Sequence, residues 1–216
     1  LSNSEERQAF SLKKIETGSM SKTVSGRSLF YSSVDSDQKS QKDRLKIAIG
    51  SVKLSMNDFL SVLDGKPNRS YERYEQFAKV FDEAVTQNAD MLVLPENYLP
   101  FEWIPSVARL CANNHIALIT GIEHFVVPQK GSNGQVYNLT AVILPYECDD
   151  YMFAYVSYHN KVAYAPIEIA EILGRRFTYK EGKAYELFGW HNIWFPVYCC
   201  FELASIQDRA LFQEYA

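Results

Sequence analysis

Polar and apolar positions divide the chain near residue 44. Up to that point Ser, Lys, Gln, Asp and Glu crowd out spaced apolar residues, so the segment cannot bury enough surface to offset the entropy of ordering it. Residues 1–44 therefore read as a disordered or linker arm, with room for one short helix around Glu5 to Ile15. Residues 45–216 read as one globular domain. It opens with Leu45-Lys-Ile-Ala-Ile-Gly-Ser-Val, the pattern of a strand. A polar loop follows, including Gly65-Lys-Pro-Asn-Arg-Ser. From Tyr71 to about Asn88 the apolar residues Tyr74, Phe77, Ala78, Phe81, Ala84 and Val85 recur at helical spacing behind a Ser70 N-cap. Met91-Leu-Val-Leu comes at once as a second strand. A buried strand directly after a helix implies a βαβ unit and an α/β fold, whose strand ends carry the chemistry.

Further along, Pro105 starts a short helix with Ala108, Leu110 and Cys111 inward, closing near Asn113-Asn114. Ile116 to Thr120 is the next strand. Phe125-Val-Val and Val136 to Leu144 flank Gly131-Ser-Asn-Gly, a hairpin loop. Tyr151 to Tyr158 forms another strand, Ile167 to Leu173 a short helix, and Tyr185-Glu-Leu-Phe with Ile193 to Tyr198 a strand pair. Past Cys200, the residues Leu203, Ile206, Ala210, Leu211 and Tyr215 fall close to one helical face.

Composition narrows the function classes. Hydrophobic residues at 47% and charged residues at 22% give the balance of a soluble globular domain. A net charge of -4 argues against a surface built to grip phosphate backbones. No apolar run reaches the ~20 residues a membrane helix needs, and the first thirty residues lack the apolar core of a signal peptide, so a cytoplasmic protein is expected. Cys111, Cys148, Cys199 and Cys200 are too scattered for a disulfide framework. No pair among them and the histidines has zinc-ligand spacing, so no metal is expected, and the chain carries no glycine-rich phosphate loop that would hold a nucleotide cofactor.

Three polar residues stand out because each follows an apolar strand: Glu96 after Met91-Leu-Val-Leu-Pro, Lys161 in the His159-Asn-Lys161 that Tyr151 to Tyr158 delivers, and Cys200 after Trp194-Phe-Pro-Val-Tyr-Cys. Each alone has an ordinary reading, as a loop carboxylate, a solvated lysine or a small buried thiol. Together they form a chemical set. A free thiol with pKa near ~8.5 is only slightly ionised at neutral pH and needs a base to take its proton. Backbone N–H groups of the turn that follows Cys200 are free to hold an oxyanion that develops during attack.

In that order and on that α/β rhythm, Asp90-Met-Leu-Val-Leu-Pro-Glu-Asn-Tyr, Tyr158-His-Asn-Lys-Val-Ala-Tyr-Ala-Pro and Tyr198-Cys-Cys-Phe-Glu resemble the motifs of the nitrilase superfamily of carbon–nitrogen hydrolases. The resemblance runs from about Lys46 to the chain end. It implies a four-layer αββα sandwich, here incomplete at its C-terminal side. It also implies a cysteine-dependent hydrolase that acts on an amide or nitrile through a thioester acyl-enzyme, without a cofactor, in a protein that associates with copies of itself. The roles it implies are nucleophile for Cys200, base for Glu96, electrostatic stabiliser for Lys161 and oxyanion donor for the Phe201 N–H. The family has a second glutamate shortly after the lysine and a proline. Glu168 stands near that place and Glu171 competes with it. The alternative is a catalytically silent module of the same fold, serving oligomerisation or regulation in a larger polypeptide. The polar arm is also similar to linkers that join nitrilase-like domains to defence-associated reverse transcriptases, and nucleic acid would be a partner only through such a fused domain.

Overall fold

The computed structural model describes residues 15–20, 27–34 and 41–212. Its main sheet has the order β3-β4-β5-β8-β9, formed by β3 (Ile47–Ile49), β4 (Met91–Val93), β5 (Ala117–Gly121), β8 (Leu139–Cys148) and β9 (Tyr151–Asn160). The strands β3, β4 and β5 run parallel, and β8 and β9 continue antiparallel. The parallel part requires crossovers, and helices supply them. Helix α2 (Tyr71–Thr86) links β3 to β4, capped by the Ser70 side chain, which accepts from Arg73 N. Helix α3 (Ile104–Asn114) links β4 to β5, with proline in its first turn and His115 in the left-handed conformation as its C-cap.

One face of this sheet is covered by those helices. Phe77 and Phe81 of α2 and Val107 and Cys111 of α3 pack on Leu92, Leu118, Ala141 and Ile143. The other face meets a second sheet, as Met91, Ala117, Val142 and Leu144 pack against Val34, Phe188 and Trp190. Alternate residues along β4 and β8 thus serve opposite layers, which is why these strands read as unbroken apolar runs. The described residues build a mixed α/β protein of helix, sheet and sheet layers.

The second sheet corrects the reading of the N-terminal segment. Its order is β1-β2-β11-β12, with β1 (Ile15–Ser19), β2 (Ser28–Val34), β11 (Ala184–Trp190) and β12 (Ile193–Pro196). Residues 15–19 and 28–34, taken from sequence as part of an arm, are therefore strands of the domain, and β2 pairs in parallel with the whole length of β11. Burial explains why they order: Leu29 and Val34 are buried, and the buried Ser32 hydroxyl bonds Tyr155 Oη at 2.9 Å and also Glu186. The short helix considered around Glu5 lies outside the described residues, apart from Ile15, which is in β1.

Two other expectations change. The polar stretch after β3 contains helix α1 (Met56–Leu63), started by a capping box in which Ser55 and Asp58 satisfy each other's backbone N–H groups. The long helix expected past Cys200 is instead a 3-10 turn, Cys200–Ala204, followed by the one-turn helix α5 (Ile206–Arg209). The hairpin around Gly131 is present as β6 (Phe125–Val127) and β7 (Gln135–Tyr137), with β10 (Thr178–Tyr179) added in parallel to β7. Helix α4 (Pro166–Gly174) lies close to its expected place. Among the described residues, no helix is long and apolar enough to cross a membrane.

Candidate active site

Glu96, Lys161 and Cys200 converge at one end of the main sheet, where they line a single cavity of about 450 Å³ with Glu168. Each is delivered by a strand end. Glu96 sits just past β4, and its backbone lies so close to β5 that a Cβ on Gly121 would stand 2.3 Å from Glu96 Cα. Gly121 N donates to Pro95 O at 3.0 Å, fixing the turn. Lys161 immediately follows β9, its backbone N bonded to Asn138 O at 2.9 Å and its own carbonyl accepting from Gly182 N at 2.8 Å. Cys200 begins the 3-10 turn after β12 with φ of 49°. A left-handed backbone at a residue bearing Cβ costs about 1–2 kcal/mol, so the surrounding contacts hold this turn against its own preference.

The four groups form a connected polar centre. Lys161 Nζ donates to Glu96 Oε1 at 2.6 Å and to Glu168 Oε2 at 2.7 Å, with its side chain only 1% exposed. Burial alone would lower the lysine pKa. The charge of Glu96 and hydrogen bonds to Glu168 and Glu96 outweigh it, and Lys161 stands above the ordinary lysine value. Burial pushes Glu168 up, but hydrogen bonds from His124 and Lys161 win and bring its pKa down to about 2. This pair is ionised at any physiological pH.

The adjacent cysteines face different surroundings. Cys199 is buried, and burial followed by the charge of Glu96 raises its thiol well above the ordinary value. Cys200 is exposed to the cavity. Partial burial, the Glu96 charge and a hydrogen bond to Glu96 raise its pKa, while Lys161 opposes the shift. Burial and the neighbouring carboxylate thus both favour the protonated thiol. The Phe201 N–H, one residue on, has no protein acceptor among the described residues.

Glu168 and Glu171 also separate. Helix α4 begins at Pro166, so Glu168 falls in its first turn, buried, with Ala165 N donating to it at 3.4 Å. Glu171 lies one turn further along the same face and lines the cavity without touching Lys161.

No family model matches the chain, and no curated protein matches it. Among solved structures, the NitN amidase from Nesterenkonia sp. AN1 is similar, with a TM-score of 0.45 and 14% sequence identity over 74% of this chain and 58% of that one. A glutamate-to-leucine mutant of the amidase from Nesterenkonia sp. AN1, showing covalent addition of the acetamide moiety of fluoroacetamide at the active site cysteine, is similar with a TM-score of 0.37. It is 15% identical over 60% of this chain and 51% of that one. The chain spans somewhat more than half the length of these amidase structures.

The sequence reading missed several residues of the centre. Asn138 is wholly buried, and its Nδ2 bridges Glu96 Oε1 at 2.6 Å and Glu168 Oε1 at 2.7 Å. Its backbone N donates to Tyr164 Oη at 2.9 Å. His124, also buried, places Nε2 3.1 Å from Glu168 Oε1 while Nδ1 has no partner. A carboxylate only accepts, so Nε2 carries the proton. Arg73 of α2, equally buried, donates to Tyr98 O at 2.8 Å and pairs with Asp58 at 3.2 Å, tying α1 to the loop that carries Glu96. Ser55 followed three residues later by Asp58 is a capping pattern that could have revealed α1 in this part of the wall, which sequence analysis read as a polar loop.

Proposed function

We propose that the protein is a cysteine-dependent carbon–nitrogen hydrolase of the nitrilase type, in which Cys200 attacks an amide or nitrile carbon and passes through a thioester. The observation that carries this reading is one buried ammonium, Lys161, held between two carboxylates at 2.6 and 2.7 Å in the same cavity that the exposed Cys200 thiol lines. A purely structural ion pair has no need of a thiol at the open side of a cavity. The four-layer sandwich of that family belongs to this proposal as well.

For an amide the chemistry runs in balanced steps. The Cys200 proton passes to Glu96 as the sulfur–carbon bond forms, and the carbonyl electron pair moves onto oxygen. Lys161 and the Phe201 N–H face that oxyanion, and losing one such donor costs about 2.7–4 kcal/mol of barrier in comparable sites. Glu96 returns the proton to the departing nitrogen as the carbon–nitrogen bond breaks, leaving the thioester. Glu96 then takes a proton from water as hydroxide adds to the thioester carbon, and returns it to the sulfur as the carbon–sulfur bond breaks, giving the carboxylic acid, the free thiol and the Glu96 carboxylate. Glu168 keeps its charge throughout and holds Lys161 in place.

The cavity walls contributed by Leu54, Met56, Phe59 and Ile167 favour an apolar substituent on the substrate. The test is intact-protein and peptide mass spectrometry after incubation with a panel of small aliphatic and aromatic amides and nitriles. An acyl adduct confined to the Cys200 peptide and lost in Glu96→Gln is expected. Adducts spread over the four cysteines, or persisting in that variant, would refute the reading.

A further inference from the structure

Glu202 takes no direct part in the chemistry above, yet it is the most enclosed carboxylate near it, with 0% exposure. Its Oε2 accepts from Cys199 N at 2.5 Å and its Oε1 from Val162 N at 2.5 Å. Cys199 precedes the proposed nucleophile and Val162 follows Lys161. The third partner is His159, two residues before Lys161, whose Nε2 lies 3.0 and 2.9 Å from the two oxygens. Carboxylate oxygens only accept, so Nε2 is protonated. His159 is buried and stacked on the Tyr185 ring at 5.5 Å, which leaves it little freedom to turn away. One side chain therefore joins the turn that ends β9 to the turn that ends β12, two elements that do not pair with each other in either sheet.

We propose that Glu202 is a positioning residue, held by the His159 donor, which keeps the Lys161 turn and the Cys200 turn in register. The inference rests on the hydrolase reading, because register matters only if ammonium and sulfur must share one reacting atom. Two features make it more than core packing. Buried carboxylates are costly unless every oxygen is satisfied, and here the satisfying donors come from the residues adjoining the two reactive side chains. The Cys200 backbone is also left-handed, so the bond to Cys199 N restrains a turn that would otherwise relax. Glutamine at 202 cannot substitute, since its amide nitrogen would face one of the two backbone N–H groups.

The experiment compares wild type with Glu202→Gln, His159→Gln, His159→Phe and, as a destabilised control far from the clamp, Trp190→Phe. Two readouts are taken: hydrogen exchange over residues 159–163 and 197–201, and the rate of Cys200 alkylation by iodoacetamide with kcat and KM on an amide that acylates the wild type. For Glu202→Gln and His159→Phe, exchange in both segments rises at least tenfold, and alkylation and kcat fall at least tenfold with KM changed less than threefold. His159→Gln keeps a donor and stays within threefold of wild type. Trp190→Phe lowers the melting temperature without moving either readout. Unchanged exchange in Glu202→Gln, or faster exchange with unchanged rates, overturns the positioning role and leaves the hydrolase reading standing. A wild type whose Cys200 is neither acylated nor preferentially alkylated overturns the hydrolase reading and the catalytic role of the clamp together, while exchange still reports whether the clamp exists. If Glu202→Gln does not fold, His159→Phe carries the same readouts.

Discussion

Lys161 Nζ lies 2.6 Å from Glu96 Oε1 although the two residues are 65 positions apart in the chain. Their separation is set by backbone, since each follows a strand of the same sheet, and the strands between them fix the span. Removing the ammonium leaves Glu96 and Glu168 bridged only by Asn138. Breaking such a buried pair by deleting one partner costs about 3–5 kcal/mol. Lys161→Met is therefore expected to lower stability by about that amount in urea unfolding and to abolish acylation of Cys200, whereas Lys161→Arg recovers some stability without activity because its planar fork does not fit the two oxygens.

Acid should weaken the fold in a defined window. Glu168 has a folded pKa of about 2 against an ordinary 4.5. A depressed carboxylate contributes stability that is fully present above the unfolded value and is lost as pH falls through the folded one. The loss then runs from about pH 4.5 down to about pH 2 and totals roughly 3 kcal/mol. Denaturant unfolding at a series of pH values measures it, and Glu168→Gln should flatten that part of the curve.

Asn138 donates one amide group to two carboxylates. Asn138→Asp replaces the donor by a third carboxylate at the same distances, so like charges must share a proton or separate. The expected result is that Asn138→Asp loses more acylation rate than Asn138→Ala, by at least tenfold. Equal losses would show that Asn138 only fills space.

Gly121 leaves no room for a side chain, since a Cβ would meet the Glu96 Cα at 2.3 Å. The neighbour is backbone and cannot swing aside. Gly121→Ala should displace Glu96 and slow Cys200 alkylation at least tenfold, and Gly174→Ala, where nothing lies within 4 Å, serves as the comparison with an unchanged rate.

Strands β1 and β2 cover the edge of β11, which otherwise presents unpaired N–H and C=O groups beside buried Phe188 and Trp190. A chain beginning at residue 41 should lose the native fold or associate through that edge. Light scattering and the unfolding midpoint of the shortened chain check this, and a soluble monomer of unchanged midpoint would contradict it.

How much of this was legible depends on whether the signal is local. Glu96, Lys161 and Cys200 could be found because each ends an apolar run, and α2 because its apolar residues repeat within one segment. Choosing between Glu168 and Glu171 required the helix start at Pro166, which decides which glutamate meets Lys161. Asn138 and His124 left no trace: an asparagine between β7 and β8 and a histidine after Glu123 have no periodicity, and only the folded sheet brings them to the carboxylates. β2 was hidden for another reason. Its buried Ser32 reads as polar in sequence, and its burial depends on Glu186, 154 positions away, a dependence that no local pattern encodes.

That distance has a consequence for how the protein comes into being. The layer that delivers the sulfur joins segments from both sides of the main sheet in sequence, so it closes only after nearly all of the described chain has been synthesised. Contacts of such long separation are slow to form. Glu96 and Lys161 follow strands of one sheet, β4 and β9, whereas Cys200 follows β12 of the second sheet. We therefore expect the pairing of Glu96 with Lys161 to precede the arrival of Cys200 during folding, and pulsed thiol labelling of Cys200 along refolding checks this order.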